Sequence, residues 1–157
     1  LHLRPRRQRQ MCIRDRCRYL EEIYPNPALF GTTAETRAII DMWLRRFELD
    51  GFLPMLHAVR NHLENFKGRV IPGTRTDLPQ VPEMVTRGIE MGKMFLERVE
   101  PHMAENEFVA GSRFSVADIT AFFTIKLTTP LKIDINASYP GVAAWMDRMS
   151  KREAFNI

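Results

Sequence analysis

Few side chains in this sequence have the type and spacing that catalysis requires. Histidine titrates near neutral pH and can act as a general base, which makes His57 and His62 candidates for proton transfer. Ser115 lies three residues before Asp118, so the two could be taken for a nucleophile and its partner. A serine nucleophile is activated by an adjacent base, and the segment around Ser115 supplies none. The spacing of Ser115 and Asp118 therefore needs another explanation.

The segment Phe114-Ser-Val-Ala-Asp-Ile119 is typical of the start of a helix. Ser115 can accept a backbone N–H, while Asp118 can return a hydrogen bond to the Ser115 N–H and favours the positive end of the helix. Phe114 and Ile119 occupy the two positions of a hydrophobic staple. We therefore interpret Ser115 and Asp118 as folding determinants. Loss of the Asp118 cap alone should lower stability by about 1 to 2 kcal/mol.

Neither a metal site nor a disulfide is indicated. The sequence contains four histidines, which are His2, His57, His62 and His102. They show neither the i, i+4 pairing nor the nearby acidic partner of a ligand set, so we predict no metal. Cys12 and Cys17 do not form a CxxC pair and are too close to staple a domain, which favours a reducing cytosol. We predict that Cys17 is a buried helix residue.

The positive charge of the chain is concentrated at its N-terminus. The 157 residues carry a formal net charge of +4. Residues 1–16 contain six Arg and one Asp, a net of +5, which leaves −1 for residues 17–157. A near-neutral body argues against a nucleic-acid-binding face. No apolar run approaches the roughly 20 residues of a membrane span, so we predict neither a nucleic-acid nor a membrane partner.

Residues 1–16 are neither periodic nor apolar enough to fold, so we expect a disordered basic leader. They also lack the apolar core of a secretory signal. The segment QRQMCIRDR resembles a translated sequencing adapter joined to a truncated reading frame. A native basic tail and a mitochondrial presequence are the alternatives, although the Ser content and amphipathic repeat of a presequence are missing.

The rest of the sequence has the period of α-helices. Residues 17–24 place Leu20, Ile23 and Tyr24 at helical spacing before a Pro-Asn-Pro segment ends the helix. Thr32 and Glu35 have the spacing of a capping box, which predicts that a longer helix begins there.

That second helix is predicted to continue to about Val59 with an irregularity. Its apolar residues recur at i, i+3, i+4 and i+7, first around Trp43 and again after Phe52. Gly51 and Pro54 interrupt the pattern, and Pro54 removes one backbone hydrogen bond. We therefore expect a bend near Asp50 rather than two separate helices.

Three further helices follow a loop rich in Pro and Gly. Pro82 suits the first turn of a helix whose apolar face includes or borders Gly88 and Gly92, which suggests close packing. The helix after Ser115, up to about Leu127, is apolar on nearly every side and should be buried. A last amphipathic helix spans about 141–151. We find no strand pattern, and the fold class is therefore all-α.

In this order, the features resemble the C-terminal helical domain of the cytosolic glutathione transferases. Arg18-Tyr-Leu-Glu-Glu, Tyr24-Pro-Asn-Pro and Leu29-Phe-Gly31 resemble the end of the thioredoxin-like domain and its linker. Phe108-Val-Ala-Gly-Ser-Arg-Phe-Ser-Val-Ala-Asp118 resembles the buried capping box with its preceding turn, and Tyr139-Pro-Gly-Val-Ala-Ala-Trp-Met-Asp-Arg-Met149 resembles the late helix.

The resemblance implies a division into three parts. Residues 1–16 would be the leader, 17–31 the end of a truncated thioredoxin-like domain with its linker, and 32–157 the helical bundle. It also implies that the full-length parent is a cytoplasmic homodimer that conjugates glutathione, its co-substrate, to small hydrophobic electrophiles. The chemistry is attack by the glutathione thiolate.

The residues that bind and activate glutathione are expected outside this chain. The family's activating Tyr, Ser or Cys lies early in the thioredoxin-like domain. Its Glu-Ser pair, which binds the glutamyl end of glutathione, would fall on Cys12 and Ile13, and neither residue matches. We therefore expect no catalytic residue in this chain and no activity from it alone. A non-catalytic interaction or scaffold module is the alternative function.

The resemblance places an electrophile pocket along the first long helix. The candidate lining residues are Arg46, Phe52, Leu53, Leu56, His57 and Arg60. Apolar residues on such a stripe are more often core, and the two arginines are more often solvated or dimer-facing. His57 or His62 could help to deprotonate the glutathione thiol, directly or through water.

Overall fold

The computed structural model describes residues 13–70 and 78–155, and the regular elements in these ranges are helical. They are α1 (Ile13–Ile23), α2 (Ala34–Arg46), a π turn (Phe47–Phe52), α3 (Leu53–His62), a 3-10 turn (Glu64–Phe66), α4 (Pro82–Glu105), α5 (Val116–Lys126), α6 (Ile135–Ser138), α7 (Pro140–Ser150) and a 3-10 turn (Glu153–Phe155). Phe108 and Gly111 form an isolated β-bridge, and the described residues contain no strand. The predicted all-α class is confirmed.

The first helix begins earlier than predicted. The predicted leader ended at Arg16, but residues 13–16 form the first turn of α1, because Arg14 pairs with Asp41 on α2 and with Glu48 in the π turn. Residues 1–12 of that leader lie outside the described residues. Burial of Cys17 was also predicted wrongly, since α1 buries none of its residues from Ile13 to Ile23.

The N-terminal cap of α2 lies one residue later than predicted. The Thr33 hydroxyl accepts the Thr36 N–H at 3.1 Å, and the Thr36 hydroxyl accepts the Thr33 N–H at 3.0 Å. The expected pair of Thr32 and Glu35 is therefore wrong. Thr36 takes the place expected for Glu35, because a hydroxyl oxygen, like a carboxylate, can accept the N–H of the capping residue.

The irregularity expected near Asp50 is a π turn that joins α2 to α3 in one continuous helical path. Leu53 donates its N–H to the Glu48 carbonyl five residues back. Gly51 makes a close approach there, since a Cβ at this position would lie 2.6 Å from the Phe95 ring and 2.9 Å from Thr124 Cγ2. The π turn thus seats the α2–α3 path against α4 and α5.

The two glycines of α4 allow the close packing that their spacing predicted. A Cβ on Gly88 would lie 2.5 Å from the Pro54 carbonyl oxygen, and one on Gly92 would lie 2.8 Å from Met55 Cγ. Both glycines are buried against α3. Pro82 begins α4, as predicted.

Helix α5 runs through the centre of the bundle, where it contacts α2, the π turn and α7. Phe122 and Ile125 are buried, but Phe123 is 40% exposed, so the prediction of burial on every side is wrong there. Phe123 lies at the rim of an aromatic cluster in which Phe155 stacks on Phe122. A helix without a polar face still has one side that its neighbours leave uncovered.

Helix α7 packs on α4, and the short α6 packs on α7. The Glu100 carboxylate accepts the Gly141 and Val142 N–H groups at 2.6 and 2.8 Å, which satisfies free donors at the start of α7. Trp145 on α7 is fully buried. The described helices include none that combines the length and the apolar character needed to cross a bilayer.

Candidate functional site

The predicted pocket residues lie along the outer side of the α2–α3 path. Leu53 is 43% exposed, and Phe52 and Leu56 are half-buried. Leu49, which the sequence interpretation omitted, is 48% exposed on the same π turn. These four side chains form an apolar strip that the described part of the chain leaves partly open to solvent. We call them the α2–α3 strip.

The two candidate arginines already have local partners. The exposed Arg46 guanidinium lies 5.0 Å from the centre of the Trp43 ring. Arg60 donates to the Arg69 carbonyl at 2.6 Å, and its guanidinium lies 4.9 Å from the Phe66 ring centre. These contacts attach both arginine side chains to neighbouring parts of the bundle. They give both arginines a structural role.

The two candidate histidines have different environments. The half-buried His57 lines an apolar cavity of about 200 Å³, whereas His62 is exposed and does not line it. The other lining residues are Asn61, Val70, Leu78, Pro79, Val81 and Met84. Asn61 is buried, donates to the His57 carbonyl and accepts the Val81 N–H, both at 2.8 Å. Asn61 therefore ties the end of α3 to the start of α4, a role that the sequence did not reveal.

A larger groove of about 640 Å³ lies between α1, α2 and the linker that joins them, residues 24–33. Three of its charged side chains are engaged: Arg18 pairs with Asp41 at 2.8 Å, and Arg37 Nε donates to the Gly31 carbonyl at 3.0 Å. Because the groove is assembled from three separate segments, helical periodicity could not predict it.

His102, another residue that the sequence interpretation did not use, has a structural role. Its ring stacks on Trp43 with centroids 4.1 Å apart, and Nε2 lies 2.9 Å from the Val109 carbonyl oxygen. Within 13–70 and 78–155, no group of three or more His, Cys, Asp and Glu side chains could hold a metal ion.

Ser115 and Asp118 form a fully connected capping box at the start of α5. Asp118 accepts the Ser115 N–H at 2.8 Å and the Ser115 hydroxyl at 3.0 Å with one oxygen, and the Val109 N–H at 2.8 Å with the other. The Ser115 hydroxyl oxygen accepts the Ala117 N–H at 3.3 Å. Both side chains are buried and satisfy local donors, so neither is available as a nucleophile or base.

Burial raises the pKa of the Asp118 carboxyl above its ordinary value of 3.8, and the hydrogen bonds from Val109 and Ser115 oppose that rise only in part. The folded protein therefore binds a proton at Asp118 more tightly than the unfolded chain does. The stability that this difference contributes is fully present below pH 3.8 and is lost as the pH rises through the raised pKa.

We expect the pH dependence of stability to show this effect in a comparison with Asp118→Asn. Asparagine does not titrate, so the wild-type free energy of unfolding, relative to that of the variant, should fall as the pH rises above 3.8 and then become constant. Urea melts at several pH values would measure the difference. A relative wild-type stability that increases with pH would contradict the assignment.

The bundle and its capped, buried central helix define an all-helical domain, and comparison with known proteins identifies its kind. Residues 85–153 match the family model described as glutathione S-transferase, C-terminal domain. Glutathione S-transferase F10 of Arabidopsis thaliana is 28% identical over 142 residues, which are 88% of this chain and 62% of that protein. Residues 85–153 thus match the C-terminal domain of the glutathione S-transferases, and the chain is similar to such proteins over most of its length.

Solved structures agree with this assignment. A class Gtt2 glutathione S-transferase of Vibrio parahaemolyticus is 30% identical with a TM-score of 0.74, over 90% of this chain and 63% of that one. A glutathione S-transferase domain-containing protein of Marinobacter aquaeolei VT8 is 30% identical with a TM-score of 0.71, over 88% and 65%. The chain thus spans less than two thirds of the length of each of these proteins.

Proposed function

We propose that this chain is the helical part of a cytoplasmic glutathione transferase that conjugates glutathione to small hydrophobic electrophiles. The match of residues 85–153 to the glutathione S-transferase C-terminal domain supports the choice of glutathione as co-substrate. The observation that carries the proposal for the electrophile is the α2–α3 strip, in which Leu49 and Leu53 stay 48% and 43% exposed. A contiguous exposed apolar surface on a folded domain marks a place for a ligand or a partner.

In this proposal the strip forms one wall of the electrophile site. The glutathione thiolate, activated by a group outside the described residues, attacks the electrophilic carbon and forms the new carbon–sulfur bond. With a halonitroarene, the carbon–halogen bond breaks in the same substitution and the halide leaves with its electron pair. Leu53, Phe52 and Leu56 would bind the apolar part of the electrophile and remove it from water. His57 stays a candidate for assisting deprotonation of the thiol, and the exposed His62 is a weaker one.

The exposed face of α1 supports the proposed division of the chain. Tyr19, Leu20, Ile23 and Tyr24 are all about half exposed or more, although they are apolar or aromatic. We propose that residues 17–31, with the preceding turn of α1, are the end of a thioredoxin-like domain and its linker, and that the rest of that domain covers this face. A homodimer of the longer protein is part of the same proposal.

The α2–α3 strip predicts a selective effect on substrate binding in a longer protein that contains this chain. For Leu53→Ser we expect the KM for an apolar halonitroarene to rise about fivefold, the factor for partial loss of one buried leucine contact, with no change in the KM for glutathione. Steady-state conjugation rates measured with each substrate varied in turn would test this.

Met94→Ser is the matched control, because Met94 is 61% exposed on α4 and lies outside the strip. It should change neither KM. Equal effects of the two variants on the electrophile KM would contradict the proposed wall. Absence of conjugation by the longer protein would favour a non-catalytic scaffold.

A further inference from the structure

Helix α1 is attached to the bundle without any buried side chain. Along its described length, Ile13–Ile23, none of its residues is buried. Arg14 and Arg18 both pair with Asp41 on α2, but these side chains are partly exposed to solvent. Partly exposed ion pairs contribute little and are screened by salt. Other contacts must therefore help to fix the position of α1.

The linker after α1 supplies those contacts. The Glu21 carboxylate accepts the Leu29 N–H at 2.7 Å and the Phe30 N–H at 3.0 Å, which attaches the linker to α1. The Leu29 carbonyl in turn accepts the Val116 N–H at 3.0 Å, which attaches the linker to the first residue of α5. One short segment thus connects α1 to the central helix of the bundle.

The Val116 N–H is free to make this bond because of the capping box. The first N–H groups of a helix have no acceptor within the helix. At the start of α5, the Asp118 carboxylate accepts a hydrogen bond from the Ser115 N–H, and the Ser115 hydroxyl accepts one from the Ala117 N–H. The donor between them, on Val116, points to the linker, and the positive end of α5 favours a carbonyl oxygen there.

We propose that the start of α5 is a clasp for the linker, so that the position of α1 and the order of the α5 N-terminus are coupled. The clasp consists of Glu21, Leu29, Phe30 and Val116. It stands on contacts within this chain and does not depend on glutathione chemistry, so its failure would leave the proposed enzymatic function untouched. A consequence of the clasp is that any domain or partner covering α1 is held in its orientation by the contact between the linker and α5.

The variant Val116→Pro tests the clasp in the whole chain. Proline lacks the N–H and is well tolerated as the first residue of a helix. Ser115 already has the extended conformation, with ψ 176°, that a residue before proline requires. Val116→Ala is the control, because it shortens the side chain but keeps the N–H.

We expect amide hydrogen exchange at Leu29 and Phe30 to be about fivefold faster in Val116→Pro than in Val116→Ala, the factor for one lost hydrogen bond. A spin label on Cys17, in a Cys12→Ser background, should become more mobile in the proline variant. Equal exchange rates and equal label mobility in the two variants would overturn the proposal.

The reverse experiment decides the matter if Val116→Pro does not fold. Coupling between two sites is reciprocal, so Glu21→Ala should accelerate exchange of the Val116 amide by a similar factor. Arg37→Ala is the control, since Arg37 contacts the linker at the Gly31 carbonyl and lies outside the clasp. Unchanged exchange at Val116 in Glu21→Ala would overturn the clasp.

Discussion

Asp118→Ala is expected to lower the free energy of unfolding by about 3 kcal/mol, because it leaves buried donors without an acceptor. The carboxylate accepts the Val109 N–H, the Ser115 N–H and the Ser115 hydroxyl, and Asp118 is fully buried. Loss of the helix cap alone would lower the free energy of unfolding by about 1 to 2 kcal/mol. The larger value reflects the bond to Val109, which holds the turn before α5.

Urea denaturation of the wild type, Asp118→Ala and Asp118→Asn would measure this loss. The asparagine carbonyl can still accept one of the bonds, so Asp118→Asn should be destabilised less than Asp118→Ala. A loss below about 1 kcal/mol in Asp118→Ala would show that the buried donors find other acceptors.

Gly88→Ala and Gly92→Ala are expected to differ in their effect on stability, although both place alanine in the middle of the same helix. In an exposed helix, alanine is favoured over glycine by about 1 kcal/mol. At Gly88 the new Cβ would lie 2.5 Å from the Pro54 carbonyl oxygen, which belongs to the backbone and cannot move aside. We expect Gly88→Ala to destabilise the protein by about 2 kcal/mol.

At Gly92 the neighbouring atoms belong to the flexible Met55 side chain. Methionine can adopt another rotamer, so the strain should nearly cancel the gain in helix propensity, and Gly92→Ala should be close to neutral. Thermal melts of the two variants under identical conditions would compare them. Similar losses of stability in the two variants would contradict this prediction. They would mean that α3 and α4 move apart as whole helices and that the atoms next to each glycine do not decide the outcome.

The sequence predicted the helices well, because apolar residues repeat with the helical period wherever a helix contacts the core. It placed helix starts less accurately. The α2 cap moved from Thr32 to Thr33, since a second threonine at Thr36 can close the box as well as Glu35 could. The start of α1 moved to Ile13, because ion pairs of Arg14 with α2 and the π turn, both distant in sequence, extend the helix.

Burial was predicted less well than helicity. The apolar spacing of Leu20, Ile23 and Tyr24 indicates a helix face suited to packing against another apolar surface. It does not say whether that surface belongs to the bundle, and the three side chains are about half exposed or more. Cys17 and Phe123 were wrongly expected to be buried for the same reason. Periodicity describes one helix, whereas burial depends on the arrangement of its neighbours.

The candidate site was predictable only where a single helix provides it. The positions of Phe52, Leu53 and Leu56 follow from the α2–α3 path, but the contact of Arg60 with the Arg69 carbonyl depends on the turn after α3. The bond between Leu29 and Val116 joins residues 87 positions apart through backbone atoms. Backbone bonds of this kind leave no pattern in residue types.

The π turn at residues 47–52 has a consequence for how this protein can change over evolutionary time. A π turn holds one residue more than an α-helical turn of the same path, and each residue of an α-helix advances the rotation by about 100°. Deleting one residue inside the π turn would therefore restore a plain helix without changing the phase of α3 relative to α2. The same deletion at the start of α3 would rotate the residues after it by about 100°, and the fully buried Met55 and Ala58 would then face away from α4. The π turn is thus the place on this path where the chain can lose one residue without changing which side chains face the core.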